Sequence, residues 1–183
     1  MLQISFTPFP ILSTERLVLR QMNKDDENNF FTFRSDKEIM KFIPRPLAKS
    51  KEDARNLILH INDLIDKNEA ITWAITLKES SELIGTIGYV RMNKENYRAE
   101  IGYLLSPLHQ GKGIMQEALK AVIDYGFSKM NLHSIEAVVS PENLASIQLL
   151  EKNNFRREAY FKENQFYSNA FHDTAHYSLL AKL

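Results

Sequence analysis

Between Arg98 and Met130 the hydrophobic period of the chain changes from two residues to three or four, and this change constrains the fold more than any other stretch. Ala99, Ile101, Tyr103 and Leu105 alternate with Glu100, Gly102 and Leu104, the pattern of a strand. Pro107 cannot donate to a ladder, so pairing should stop near it. From Gly113 the repeat is that of a helix: Met115, Ala118, Leu119 and Val122 form a stripe that Ile114, Ala121 and Tyr125 widen, as far as about Met130. Gln110, Gly111, Lys112 and Gly113 therefore lie at the mouth of a helix that follows a strand.

The first backbone N–H groups of such a helix have no intrahelical acceptors, and the positive end of its dipole points out of the mouth. Both features suit a phosphate or pyrophosphate. Gly111 and Gly113 have no Cβ to hold a ligand away, and Lys112 between them can add charge. The same glycines serve equally well as a plain tight turn with a solvated lysine, and the chemistry of the loop leaves both readings open.

The rest of the chain supplies strands and helices by turns. Leu12 to Arg20 reads as one half-exposed strand, with Leu17 and Leu19 on its apolar side. Asn23 with Asp26, and Ser50 with Asp53, are the capping signatures of two helices. Phe30, Phe31 and Phe33 give the first its apolar side; Ala54, Leu57, Ile58, Ile61, Leu64 and Ile65 mark one face of the second, to about Lys67, with His60 off the stripe. Pro44 and Pro46 make a loop between them. Strands are expected at Ile71 to Leu77, Leu83 to Met92 and Tyr97 to Leu105, as an antiparallel meander. Beyond the central helix come a strand at Leu132 to Ser140, a helix at Asn143 to Asn153, and closing strands at Phe155 to Phe161 and Thr174 to Ala181. The crossover helix should make the strands on either side of it parallel. The fold class is α+β, a mixed and mostly antiparallel central sheet with flanking helices.

A chain of 183 residues, 44% of them hydrophobic, can bury one core and suits a single domain over 1–183. Lys plus Arg and Asp plus Glu number 23 each, so no basic field argues for nucleic acid. The absence of cysteine removes disulfides, thiolate metal sites and a cysteine nucleophile, and fits a reducing cytoplasm. No apolar run approaches a membrane span and the first residues lack the pattern of a secretion signal, so a cytoplasmic protein is expected. His172 and His176 are four apart outside a helix, no metalloprotease pattern accompanies them, and no metal is expected. No Gly-x-Ser-x-Gly elbow of a serine hydrolase occurs.

Gln110-Gly-Lys-Gly113-Ile114-Met115 resembles the Gln/Arg-x-x-Gly-x-Gly/Ala loop that holds the acetyl-CoA pyrophosphate in the GNAT N-acetyltransferase superfamily, with Met115 in place of the usual final Gly or Ala. Glu100-Ile-Gly-Tyr103 before it, and Asn143-Leu-Ala-Ser146 to Lys152 followed by Phe155 after it, resemble the RimJ/RimL branch, which acetylates ribosomal-protein N-termini. Many relatives in that branch also begin with the pattern seen from Thr14 to Arg20. Asn154 stands where the branch usually has glycine, and asparagine tolerates the left-handed backbone that ends a helix.

The resemblance implies that the two parallel strands splay apart beyond the helix mouth, so that their free backbone groups can bind the pantetheine amides as an added strand would. It implies cofactor contacts at Tyr103, Leu104, Leu105, Gln110, Gly111, Lys112, Gly113, Ile114, Met115 and Asn143. His109 precedes the loop and can help at the phosphates, and Phe30 to Met40 can border the acceptor.

Acetyl transfer from a thioester to an amine needs a neutral amine, a stabilised oxyanion and a protonated leaving thiolate. Glu100, on the strand where the family often carries a base, is the candidate for the first task, directly or through water; the alternative is a surface carboxylate facing Arg98 or Lys94. Backbone N–H groups around Tyr103 to Leu105 are candidates for the second. Ser146 is the candidate for the third, one turn into a helix that Asn143 caps; many superfamily members use a tyrosine near this point, but here the next one, Tyr160, falls in a strand. The expected activity is acetyl-CoA-dependent N-acetylation of a primary amine, foremost a protein or peptide N-terminal α-amine. The alternatives are acetylation of a small amine (amino acid, polyamine or aminoglycoside) and a catalytically silent acyl-CoA-binding module.

Overall fold

The computed structural model describes residues 2–181. In chain order its elements are β1 (Leu12–Ser13), β2 (Leu17–Arg20), α1 (Glu27–Ser35), α2 (Lys51–Asp66), β3 (Ile71–Leu77), β4 (Gly85–Asn93), β5 (Arg98–Leu105), α3 (Ile114–Ser128), β6 (Ser134–Val139), α4 (Leu144–Lys152), β7 (Arg156–Tyr167) and β8 (Ala170–Leu180). The strands form one eight-stranded sheet in the order β1-β2-β3-β4-β5-β6-β8-β7. Among the described residues only β5 and β6 pair in parallel, across the α3 crossover. The mixed, mostly antiparallel sheet of the sequence reading is therefore present.

Both helical capping signatures are formed. Asn23 Oδ1 accepts from the Asp25 N–H and Asp26 accepts from the Asn23 N–H, which starts a short 3₁₀ turn leading into α1. Ser50 and Asp53 exchange the same reciprocal bonds at the start of α2.

The opening segment differs from expectation. Thr14 N–H donates to the Leu17 carbonyl and Thr14 Oγ1 accepts from the Leu17 N–H, so Leu12 to Arg20 turns back on itself as two short strands. The closing hairpin is longer than expected. β7 and β8 continue well past Phe161 and Thr174 and meet at Ser168 and Asn169, whose φ of 50° and 61° give the doubly left-handed turn that matches strand twist. Asn154 sits at φ 65°, the left-handed conformation expected of the residue after this helix.

Two apolar layers clothe the sheet. On one face α3 buries Ala118, Leu119 and Val122 completely against Ile75, Ile87 and Ile101. On the other, Phe30 and Phe33 of α1 and Ala54 and Ile58 of α2 pack over Ala74 and Leu104. Trp73 is fully buried, and its indole N–H donates to the Pro10 carbonyl at 2.7 Å, which resolves the cost of burying that donor. Each full burial of a Leu-sized side chain contributes about 1.5–3 kcal/mol.

The feature that makes the site lies between β5 and β6. Their parallel register covers only Arg98↔Ser134, Ala99↔Ile135 and Glu100↔Glu136. β5 then runs on to Leu105 paired with β4 alone, and β6 runs on to Val139 paired with β8 alone. From Ile101 onward the two inner edges part, as the resemblance implies. On β4 the ladder slips between Tyr89 and Arg91, a bulge at Val90 beside the point of divergence.

Candidate active site

A cleft of about 820 Å³ occupies the gap, within the range of small-molecule sites. Glu100 to Leu104 of β5 form one wall, and Ala137 to Ser140 with Asn143 and Ser146 form the other. Phe30 and Arg34 of α1, the loop from Lys41 to Arg45, His60 of α2, and Gln165, Tyr167 and His172 of the hairpin close it from the α1/α2 side. A second hollow, of about 520 Å³ between Ile11 to Thr14 and α3, contains none of the residues expected to carry chemistry.

The glycine loop is built as a cradle. Gly111 and Gly113 have φ of 72° and 74°, a region that costs other L-residues roughly 1–2 kcal/mol. A Cβ on Gly111 would meet nothing within 4 Å, and one on Gly113 only the end of Arg16 at 3.5 Å, so the protein leaves the space in front of both open. Gly113 caps α3 with no side-chain bond to its free N–H groups, so the residues present fit a pyrophosphate. Gln110 does not face that space alone, since its Nε2 donates to the Leu105 carbonyl at 3.1 Å and ties the loop to the end of β5. Lys112, Gly111 and Gly113 are exposed, while Ile114 and Met115 are buried, which makes their side chains core and leaves only their backbone for a ligand.

Three residues brace this loop that the sequence reading gave no role. Arg16 Nη1 donates to the Lys112 carbonyl at 3.0 Å, and Arg16 Nε donates to Glu117 at 2.7 Å. Glu117 also accepts from Thr14 Oγ1 at 2.5 Å and from the Arg16 N–H at 2.8 Å. Burial raises the Glu117 pKa, but the bonds from Thr14 and Arg16 outweigh it and hold the carboxyl below its ordinary value. His109, between loop and strand, has Nδ1 buried without a partner.

Within the cleft the candidates for the two chemical tasks fall on opposite faces of β5. Asn143 caps α4, accepting the Ser146 N–H at 3.1 Å, and Ser146, 7% exposed, makes a 2.7 Å hydrogen bond between its Oγ and the Tyr103 hydroxyl. Burial pushes the Tyr103 phenol up to about 12, against the opposing pull of Ser146, so it stays protonated at neutral pH. From sequence, Tyr103 is expected to act only through its backbone; the signal for its side chain is that a tyrosine in an apolar alternation needs a partner for its hydroxyl.

Glu100 lines the cleft on the other side of the pleat. Its partner is neither Arg98 nor Lys94 but Arg91, whose Nη1 donates to Glu100 Oε2 at 3.0 Å. Arg98 is occupied instead with Ser134 and Glu136. Glu100 Oε1 has no hydrogen-bond partner among the described residues and is free to accept from a water or an amine.

A parallel β–α–β unit whose strands part over a glycine-lined helix mouth defines a CoA-dependent acyltransferase architecture, and the comparisons with known proteins agree. The acetyltransferase (GNAT) domain profile matches residues 16–156. An uncharacterized N-acetyltransferase, p20, of Bacillus licheniformis is 40% identical over 93% of this chain and 96% of its own. A GNAT-family acetyltransferase structure from Bacillus anthracis superposes with a TM-score of 0.83 at 32% identity, covering 93% of this chain and 98% of that one. RimL, a ribosomal L7/L12 α-N-protein acetyltransferase solved with coenzyme A, has a TM-score of 0.85 over 93% and 98% of the two chains; at 20% identity it shows the fold alone. Among more distant relatives is a spermidine N(1)-acetyltransferase of Vibrio cholerae, 26% identical over 86% of this chain and 89% of its own. This chain belongs to the GNAT acetyltransferases, and it is an N-acetyltransferase. The family uses acetyl-CoA. No helix among the described residues is long and apolar enough to cross a membrane.

Proposed function

We propose that this enzyme transfers acetyl from acetyl-CoA directly to a primary amine, with the α-amine of a protein or peptide N-terminus as acceptor. The observation that carries the reading is the gap between β5 and β6, which has Glu100 on one side and the Tyr103–Ser146 pair on the other. The glycine loop receives the pyrophosphate, and the unpaired edges of β5 and β6 receive the pantetheine amides. Backbone N–H groups near Tyr103 to Leu105 meet the thioester oxygen as its charge grows. Glu100 Oε1 takes the amine's proton, directly or through one water, while the pair with Arg91 holds the carboxylate in place. Either hydroxyl of the Tyr103–Ser146 bond can be the donor; with Tyr103 donating, the serine's own hydrogen is left to point at the leaving sulfur. With no cysteine in the chain, the easiest covalent intermediate is unavailable, and attack within a ternary complex follows.

The test is thiol release from acetyl-CoA against a panel of N-terminal peptides, amino acids, aminoglycosides and spermidine, with the pH profile of Glu100→Gln. A base lost from the protein matters least where solution already deprotonates the acceptor. The defect should therefore shrink near pH 8 for an α-amine of reference pKa about 7.7–8.0, and only well above that for a side-chain amine near about 10.4. Recovery near neutrality with peptides is expected. A variant matching wild type at every pH excludes Glu100 as the base, and turnover confined to polyamines or aminoglycosides moves the acceptor to the small-amine class.

A further inference from the structure

The wall of the cleft facing Glu100 carries cations without counter-charges. Arg34, in the last turn of α1, has its Nε buried with no hydrogen-bond partner, and its Nη1 reaches only Met40 Sδ, at 3.4 Å. Lys41 and Arg45 line the same cleft, and none of the three forms an ion pair among the described residues. Lys41 Nζ stands 5.1 Å from the Phe42 ring centroid, and the Arg45 carbonyl accepts from the Tyr167 hydroxyl at 2.8 Å. Burial, reinforced by the charge of Arg45, pulls the Arg34 pKa below its ordinary value, the signature of a guanidinium held in an uncompensated place. The carboxylates around the cleft do not answer it. Glu100 is held by Arg91, Asp173 accepts from the Tyr160 hydroxyl and the Glu163 N–H, and Glu142 is exposed at the far wall beside Asn143. A half-buried guanidinium left unpaired is costly, and its planar fork is matched best by a carboxylate.

We propose that the acceptor is a primary amine that itself carries a carboxylate, which Arg34 binds through its fork with Lys41 and Arg45 around it. The inference rests on the primary-amine transfer proposed above and adds a second recognised group to the acceptor. The carboxylate holds the acceptor by one end while its amine reaches across the cleft toward Glu100. A polyamine would bring further positive charge against Arg34, Lys41 and Arg45 and is disfavoured. Two sources supply the same chemistry: an acidic side chain close to a peptide N-terminus, and the α-carboxylate of a free amino acid.

Two matched pairs separate these sources. Ser-Asp-Ala-Ala amide is compared with Ser-Asn-Ala-Ala amide, and alanine with alaninamide, each by kcat/KM with acetyl-CoA; spermidine is the cationic control. At least one carboxylate-bearing member should exceed its amide partner by tenfold or more. Arg34→Met should bring that ratio to near one while leaving acetyl-CoA affinity within about twofold. Arg34→Lys should keep an intermediate ratio, and Arg45→Gln repeats the test at a more exposed site should Arg34→Met fold poorly. Equal rates within both pairs, a preference for the amides or spermidine, or a preference untouched by the variants overturns the proposal. Calorimetric binding of the same peptides in the presence of coenzyme A distinguishes the two failures. If no amine is turned over but the carboxylate-bearing member of either pair binds tenfold tighter than its amide partner through Arg34, the activity reading falls and the carboxylate site stands; equal binding within both pairs removes the site.

Discussion

Tyr103 and Ser146 form one hydrogen-bonded unit, and the magnitudes decide what it can do. A phenol near 12 gives its proton fully to a thiolate of reference pKa about 8.5 only at a cost of about 5 kcal/mol, and a serine hydroxyl is a weaker acid still. In the proposed reaction the pair would therefore stabilise the departing sulfur by hydrogen bonding, and the proton that neutralises it would be the second one the nitrogen loses, after attack, the first having gone to Glu100. Ser146→Ala is expected to lower turnover roughly ten- to a thousandfold, within the usual span of acid–base help, and Tyr103→Phe less, since it removes only the outer bond. The double variant should cost little more than Ser146→Ala alone, because the two hydroxyls act as a unit. Single-turnover rates at saturating acetyl-CoA measure all three; additive losses would mean that the hydroxyls work separately. Ser146 was legible from its place after Asn143, which a cap fixes locally. The phenol was not, because contact between residues 103 and 146 depends on how α4 docks on β5.

The brace behind the glycine loop acts between elements, joining the turn before β2 to the first turn of α3 through Arg16, Thr14 and Glu117. Glu117 titrates below its ordinary value in the fold, so its contribution to stability is complete above the unfolded carboxylate range and disappears as pH falls through the folded value. Glu117→Gln should destabilise the protein at pH 7 by about 1.5–3 kcal/mol, the worth of charge-assisted bonds, and should weaken acetyl-CoA binding because Arg16, which holds the Lys112 carbonyl, loses its own charged partner. Chemical denaturation at pH 7 and again below pH 4 tests the sign: the gap between wild type and variant should narrow in acid. A gap independent of pH would assign the loss to packing instead. The period change from strand to helix announced β5 and α3 and placed Gly111 and Gly113 at their junction. Nothing local announced that the segment around Thr14 bends into two strands, since the bend is fixed by its own backbone bonds to Leu17 and by a carboxylate about a hundred residues away.

Across the whole molecule, the proposed cofactor and acceptor sites are built from different parts of the chain, and this division can be cut experimentally. The glycine loop and the parted edges of β5 and β6 came from contiguous motifs and were readable, whereas the acceptor wall is assembled from α1, the loop after it, and the far end of the β7–β8 hairpin. That end was missed because its alternation is broken by Lys162-Glu163-Asn164 and its turn residues, Ser168 and Asn169, are a weaker hairpin signal than Asn-Gly. Phe161 and Thr174 stand directly opposite each other in the ladder, so residues 162–173 can be replaced by Asn-Gly in a two-residue turn. The removed segment exposes Phe166 and Phe171 at 63% and 64% and contributes nothing to the two core clusters, so the shortened chain should fold with only a small change in thermal stability. It loses Gln165, Tyr167 and His172 from the cleft and the bond that holds the Arg45 carbonyl. Acetyl-CoA affinity should stay within about twofold while the acceptor KM rises about tenfold, a little over 1 kcal/mol of lost acceptor binding. An unchanged acceptor KM in a folded, cofactor-binding deletion would show that the acceptor approaches without touching the hairpin, and a parallel loss of cofactor affinity would show that the two halves of the cleft are not separable.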